Sequence, residues 1–186
     1  MIDIEKSNDD SIVAVVIPNF QLIILAFDGT QYNKKQVFQG GFYDSDMSGD
    51  GKWIVGVKPK DSFTLYHYNE ATDLYEVFQE ITITEYIYGI EITDDHQKIV
   101  AGAHVYKFNG SSFELHQNLS SGETVYFISL SKDEKWLFLD FNSSLSMFKY
   151  NGNSYDFDSN FTINGQKKLS LSEDSKYLVF GNWHSS

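Results

Sequence analysis

The sequence predicts an all-β protein in which a four-stranded unit recurs about four and a half times. Two turn motifs that keep the same phase predict the repeat, and a sheet-forming composition predicts the strands. Aromatic residues make up 16% of the 186, with 15 Phe and 12 Tyr. Such side chains pack well on a pleated, half-buried surface.

The first motif is Ser or Thr, any residue, then Asp, followed closely by an apolar run. It occurs as Ser7-Asn8-Asp9, Ser48-Gly49-Asp50, Thr93-Asp94-Asp95, Ser131-Lys132-Asp133 and Ser172-Glu173-Asp174. Steps between the Asp residues are 41, 45, 38 and 41, and lysine follows in the last four copies at Lys52, Lys98, Lys135 and Lys176. Ser and Asp side chains hydrogen-bond nearby backbone in tight turns, which accounts for their presence in every unit. The second motif is an aromatic residue before Asp or Asn: Phe27-Asp28, Tyr68-Asn69, Phe108-Asn109 and Tyr150-Asn151, with steps of 41, 40 and 42. Gly29, Gly110 and Gly152 follow three of the pairs. A further aromatic follows every pair, at Tyr32, Tyr75, Phe113 and Tyr155.

Each unit reads as four strands. Alternating apolar residues precede the first turn, as at Tyr126, Ile128 and Leu130, and period-two alternation marks a strand with unlike faces. Nearly continuous apolar runs follow it: Ile12 to Val16, Trp53 to Val57, Ile99 to Ala103, Trp136 to Leu139 and Tyr177 to Phe180. Strands of that kind are buried on both faces. The third strand ends at the aromatic-Asp/Asn pair, where a tight hairpin leads to a more polar outer strand such as Ser112 to His116. Helical repeats of this period need apolar spacings of three and four, which these segments lack. Four short antiparallel strands per unit, the second wholly buried, describe a β-propeller blade. The blades predicted are about 1–40, 41–82, 83–120 and 121–163, with a half blade at 164–186 in the same single domain.

With these motifs in place the chain resembles the WD40-like propeller superfamily. Ser48 to Trp53 looks like the turn between the first two strands of such a blade, and the aromatic-Asp/Asn pairs sit where that family places Trp-Asp. No unit has a Gly-His pair before its first strand or a true Trp-Asp, so the family's buried hydrogen-bond network is not implied. The resemblance implies a rigid, non-enzymatic platform for protein–protein contacts. A terminal half blade leaves an open strand pair. Three arrangements accommodate it: part of a larger ring of about six to eight blades, an arc completed by a second chain, or a closed four-bladed ring with an extra hairpin.

Charge and composition narrow the function further. A formal charge of −12, from 26 acidic against 14 basic residues, disfavours nucleic acid and anionic membrane surfaces as partners and favours a protein with a basic surface. Cysteine is absent, which removes disulfides and thiolate chemistry. The amino terminus lacks a signal-peptide pattern, so a cytoplasmic location is expected. Sequons at Asn109, Asn118, Asn142 and Asn160 would matter only in a secreted protein.

Candidate chemistry is sparse. Asp44, Asp46, Ser48 and Asp50 partly match a calcium loop, but Val55 stands where its bidentate Glu belongs. His67, His96, His104, His116 and His184 show no zinc-type spacing, and His96 and His104 read as turn residues. No catalytic, metal or cofactor-binding residue is assigned. One face should carry the Ser-x-Asp and Asn-Gly turns. The opposite face should carry loops such as Lys58 to Ser62 and Asn142 to Ser144, and the inter-blade connections Thr82 to Glu85 and Ser120 to Glu123. The reading is an interaction scaffold, with a ligand-binding propeller (a lectin or calcium-dependent module) as the alternative. A hydrolase propeller would need inward-facing carboxylates gathered at one end of the channel.

Overall fold

The Ser-x-Asp turn folds the same way in all five units. Ser48 Oγ donates to Asp50 Oδ1 (2.6 Å) and accepts from the Trp53 amide (3.0 Å), while Asp50 Oδ1 accepts the Lys52 amide (3.0 Å). The same three bonds recur from Ser7, Thr93, Ser131 and Ser172. The residue after the Asp adopts positive φ each time, at Asp10, Gly51, His96, Glu134 and Ser175. One polar pair thus fixes each hairpin locally, before any contact between units.

The structure is a computed structural model that describes residues 3–17, 21–58, 62–120, 122–141, 143–162, 167–172 and 174–182. Its first sheet holds β1 (Asp3–Lys6), β2 (Ile12–Ile17), β3 (Gln21–Phe27) and β4 (Tyr32–Gln39). The second holds β5 (Asp44–Met47), β6 (Trp53–Lys58), β7 (Ser62–Asn69) and β8 (Leu74–Thr82). The third holds β9 (Ile90–Ile92), β10 (Lys98–Ala101), β11 (His104–Phe108) and β12 (Phe113–Asn118). The fourth holds β13 (Phe127–Leu130), β14 (Trp136–Asp140), β15 (Ser144–Tyr150) and β16 (Tyr155–Thr162), and β17 (Lys167–Leu171) pairs with β18 (Leu178–Asn182) alone. Strands pair antiparallel with their sequence neighbours, and each ladder stops at the limit of its unit. Inner strands β1, β5, β9, β13 and β17 follow one another side by side.

Alternation along the second strand explains the stacking. Ile54 packs back on Ala14 and Leu22 of the first unit and on Phe42, just before β5, whereas Val55 and Val57 pack forward on Ile90, Ile99 and Tyr106 of the third. Leu137 and Leu139 likewise face the third unit, and Phe138 faces Leu169 of the fifth. Each such side chain, fully buried, contributes roughly 1.5–3 kcal/mol. Gly56 interrupts this strand because Phe42 presses against it; a Cβ there would lie 2.7 Å from the ring.

The expectation that every second strand is buried on both faces holds only inside the stack: Val13 and Val15 of β2 are half-buried, whereas Trp53 to Val57 of β6 are all buried. On the inner strand of the same end Ile4 is 60% exposed, while its counterparts Ile90, Ile128 and Leu169 are at most 8% exposed. At the other end Val179 is 67% exposed, against 0% for Val55 and Val100. Both ends of the stack therefore present an apolar face, and the described residues form an open arc rather than a closed four-bladed ring.

Neighbouring sheets are held together at their free edges by side chains. Gln36 on β4 donates to the Tyr75 carbonyl (2.9 Å) and accepts the Tyr75 amide (2.8 Å). Gln79 does the same with Phe113 (3.0 and 2.8 Å), and Gln117 with Tyr155 (2.7 and 2.9 Å). A β-bulge beside each Gln, with Lys35, Phe78 or His116 as the extra residue, aims the amide at the next blade. Ser159 occupies the equivalent place on β16, and its buried Oγ has no partner. Tyr32, Tyr75 and Tyr155 reach back to the first turn, donating to the carbonyls of Asp10, Gly51 and Glu134. The Asn-Gly and Ser-x-Asp turns thus share one face, as expected. At that face the Asn8 amide bonds the Gly49 carbonyl (2.8 Å) and the Gly49 amide bonds Asp94 (3.1 Å), which ties three turns in a row.

Gln79→Ala leaves an amide and a carbonyl of Phe113 unpartnered between blades. We expect it to destabilise the protein by about 1–3 kcal/mol in chemical denaturation, whereas Gln21→Ala, at an exposed pair, should cost under about 0.5 kcal/mol.

Candidate functional site

The inner strands surround an axial cavity of about 200 Å³ lined by residues from all five units: Asp3, Glu5, Asp44, Ser45, Asp46, Ile90, Glu91, Phe127, Ile128 and Leu169. Five of these are carboxylates and none is a lysine. They stand at two fixed places before the turn. Glu5, Asp46 and Glu91 lie four residues before the turn Asp of their units, and Asp3 and Asp44 lie six before it.

Each inner strand is an edge strand, and its outward amides need acceptors. The preceding blade provides them. Asp3 Oδ2 accepts the Ser45 amide (3.2 Å), Asp44 Oδ2 that of Ile90 (3.0 Å), Asp46 Oδ2 that of Ile92 (2.7 Å) and Glu91 Oε2 that of Leu130 (2.9 Å). In the last two units Ser129 and Ser170 replace the acid.

Gathering carboxylates in a confined space raises their proton affinity. Burial pushes Asp44 well up, with Asp3 adding repulsion; burial does the same to Asp46, with Glu91 and Glu5 adding to it. Burial raises Glu91 to about 8; the Leu130 amide partly offsets this, and Glu5 and Asp3 add to the rise. The turn carboxylates shift the other way. Ser7 and the Ser11 amide hold Asp9 down at about 2, and Lys135 and Ser172 lower Asp133 and Asp174 respectively.

Above the carboxylates, on the face of the inter-blade connections, runs a row of tyrosines. Tyr43, Tyr88 and Tyr126 each lie seven residues before the turn Asp of consecutive units. Tyr88 stacks on Tyr126 with ring centroids 5.4 Å apart and planes 8° from parallel, and Tyr43 leans on Tyr88 at 6.2 Å. Tyr43 and Tyr88 remain 39% and 41% exposed, and Tyr86 beside them 60%. Tyr126, read from the sequence as part of the alternating strand, instead precedes β13 and belongs to this row.

Other residues singled out in the sequence have separate places. The calcium-loop reading is not supported by their arrangement: Asp44 and Asp46 accept amides of β9, while Ser48 and Asp50 close the turn. His96 is the positive-φ residue of its turn and stacks on Trp53 at 5.5 Å. His104 is not a turn residue. It begins β11, is 8% exposed, and places Nε2 3.5 Å from Glu85 Oε2, because the hairpin turns tightly at Gly102. His116 is a bulge residue, His67 lies on β7 beside Trp53, and His184 lies outside the described residues. Among the described residues no group of three His, Cys, Asp or Glu is arranged to hold a metal ion. Residues 59–61, Ser121 and Asn142, in the loops assigned to the upper face, also lie outside the described residues.

No protein-family model matches the chain, and no curated protein matches it in sequence. Solved structures do match. The β-propeller domain of Cps50 (Swd1) from Myceliophteria thermophila superposes with a TM-score of 0.77 at 11% identity, over 97% of this chain and 62% of that one. The fold is that of a β-propeller. The periplasmic gluconolactonase of Pseudomonas aeruginosa gives 0.77 at 15% identity over 96% and 64%, and a functionally unknown protein from Desulfotomaculum acetoxidans gives 0.77 at 13% over 96% and 64%. The propeller arc spans less than two thirds of the length of each. Identities this low carry the fold alone.

The opposed shifts make stability depend on pH in a defined way. Between 4.5 and about 8 the unfolded chain has released the proton that folded Glu91 keeps, so stability falls as pH rises through that window and levels off above it. Below about pH 4 the turn carboxylates protonate and stability falls again. Unfolding followed from pH 3 to 9 should show a maximum at roughly pH 4–5. Glu91→Gln keeps an acceptor for Leu130 and should flatten the alkaline limb by on the order of a few kcal/mol.

Proposed function

We propose that this propeller arc is a non-enzymatic platform for protein–protein contacts, binding on the face that carries the tyrosine row. The observation that carries this reading is the row itself: aromatic rings at one repeat position in three consecutive blades, in contact across the blade boundaries and left partly exposed. Exposed aromatic surface on a rigid sheet scaffold is what binding faces use. The name of one structural neighbour, a Swd1 propeller domain, accords with a platform role. We place the protein in the cytoplasm.

A second reading comes from the channel. Its five carboxylates are the inward-facing acidic group that a hydrolase propeller requires, and one neighbour is a gluconolactonase. Glu91 keeps a proton near neutral pH and so has the property of a general acid. Against it stands the work these groups already do: Asp44, Asp46 and Glu91 each accept an inner-strand amide, and chemistry at their oxygens would compete with blade cohesion.

Both readings are separable with two variants. Protein capture from native extract should be seen with the wild type and with Glu91→Gln but lost with Tyr88→Ser. Hydrolysis of an aldonolactone panel should be absent throughout. Lactone turnover by the wild type that disappears in folded Glu91→Gln would instead establish the enzyme.

A further inference from the structure

The chemistry of the occupant follows from what lies next to the tyrosines. Tyr43 is followed directly by Asp44, and Tyr88 and Tyr126 lie one or two residues before Ile90 and Phe127, all of which line the axial cavity. The row is therefore the rim of an acidic well. Its lining includes Asp3, Glu5, Asp44, Asp46 and Glu91 with no cationic side chain among them, and the chain as a whole carries −12. Ser45 also lines the well; it is 2% exposed and its Oγ has no hydrogen-bond partner. A buried hydroxyl without a partner inside an acidic well marks a position at which an incoming N–H donor would be held.

We propose that the platform's ligand is an extended basic segment of a partner protein, which lays its chain across Tyr43, Tyr88 and Tyr126 and lowers one cationic side chain into the well toward Asp44 and Ser45. This rests on the platform reading and adds the identity of the bound group. Two effects act in the same direction. Cations are attracted to aromatic faces, most of all guanidinium groups that also stack, and confined negative charge in a low-dielectric wall draws a cation further than the same charges would in water. The sequence has no arginine at all, so a guanidinium at this rim must come from outside the chain. Burial makes Asp44, Asp46 and Glu91 hold their protons more tightly than usual, and a cation in the well would favour their ionised forms.

The test uses synthetic peptides of equal length and matched backbone: alternating Arg-Gly, alternating Lys-Gly, the citrulline counterpart of the first, and alternating Glu-Gly. Fluorescence anisotropy should show binding of the Arg peptide, weaker binding of the Lys peptide, and at least about tenfold loss with citrulline or Glu. Tyr88→Ser and Asp44→Asn should each weaken the Arg peptide by about tenfold, and raising the salt from low to physiological levels should weaken it further. Tyr88 is an exposed side chain and Asn retains an acceptor for the Ile90 amide, so both variants should remain folded and unfold cooperatively. Equal affinity for the Arg and citrulline peptides, or binding that Tyr88→Ser leaves intact, overturns the inference. So does capture of a protein partner through Tyr88 with no peptide bound, although the platform reading then survives; loss of both peptide and protein binding overturns the two together. Preferential binding of an oligosaccharide by the tyrosine row also overturns it.

Discussion

Every four-stranded sheet in this protein ends in two free edges, and how those edges are satisfied governs the rest of the structure. Unpaired strand edges recruit other strands. The chain avoids this without joining its sheets into one ladder: side chains of one blade act as surrogate strands for the next. Along the outer edge Gln36, Gln79 and Gln117 each offer one donor and one acceptor to a single residue of the following blade, as a paired strand would. Along the inner edge Asp3, Asp44, Asp46 and Glu91 offer acceptors alone. Geometry accounts for the difference. Outer strands stand well apart and need the reach of a glutamine on a bulge, while inner strands crowd together and accept a shorter or direct carboxylate.

That choice has an electrostatic consequence. Glutamine clamps are neutral and can be repeated indefinitely around the outside. Carboxylate bridges accumulate charge, because the inner strands converge on one axis and the bridges converge with them. With acids at both bridging places in the first two units, the third carries only Glu91, and the fourth and fifth have Ser129 and Ser170 where an acid would stand. The acidic well is thus lopsided, deepest against the first three blades. The second and third of those blades, with the fourth, carry Tyr43, Tyr88 and Tyr126 at the rim. Cohesion and recognition draw on the same residues, and this argues for a ligand that complements the charge over a reaction that consumes the carboxylates.

The hairpins, the repeat length and the location of the buried strands were legible in the sequence because each depends on neighbours within about six residues. Ser48, Asp50 and Trp53 form their turn from local bonds, and so do their counterparts. The inter-blade contacts were not legible for the opposite reason. Gln79 stands four residues after Tyr75 just as Gln36 stands four after Tyr32, so the spacing is present in the text, but its meaning depends on Phe113, 34 residues further on, and on a bulge that rotates the side chain outward. Asp46 likewise reads as a loop acid until Ile92, 46 residues away, is placed beside it. The burial expected of Val179 failed on the same ground: the pattern says that a face is apolar, and only the stack says whether another blade covers it.

The tyrosines bring these lines together. Their repeat position lies immediately before the inner strand, where the Tyr43 and Tyr126 amides still donate to the Val57 and Asp140 carbonyls of their own blades. The sequence puts a large aromatic at that position in three consecutive blades and packs the rings against one another. Packing does not require it, since the rings stay partly in water while Ile83, Ile87 and Val125 nearby are buried. Selection for a surface, rather than for stability, is the physical sense of an aromatic row kept partly exposed across three blades. The acids below give that surface its sign.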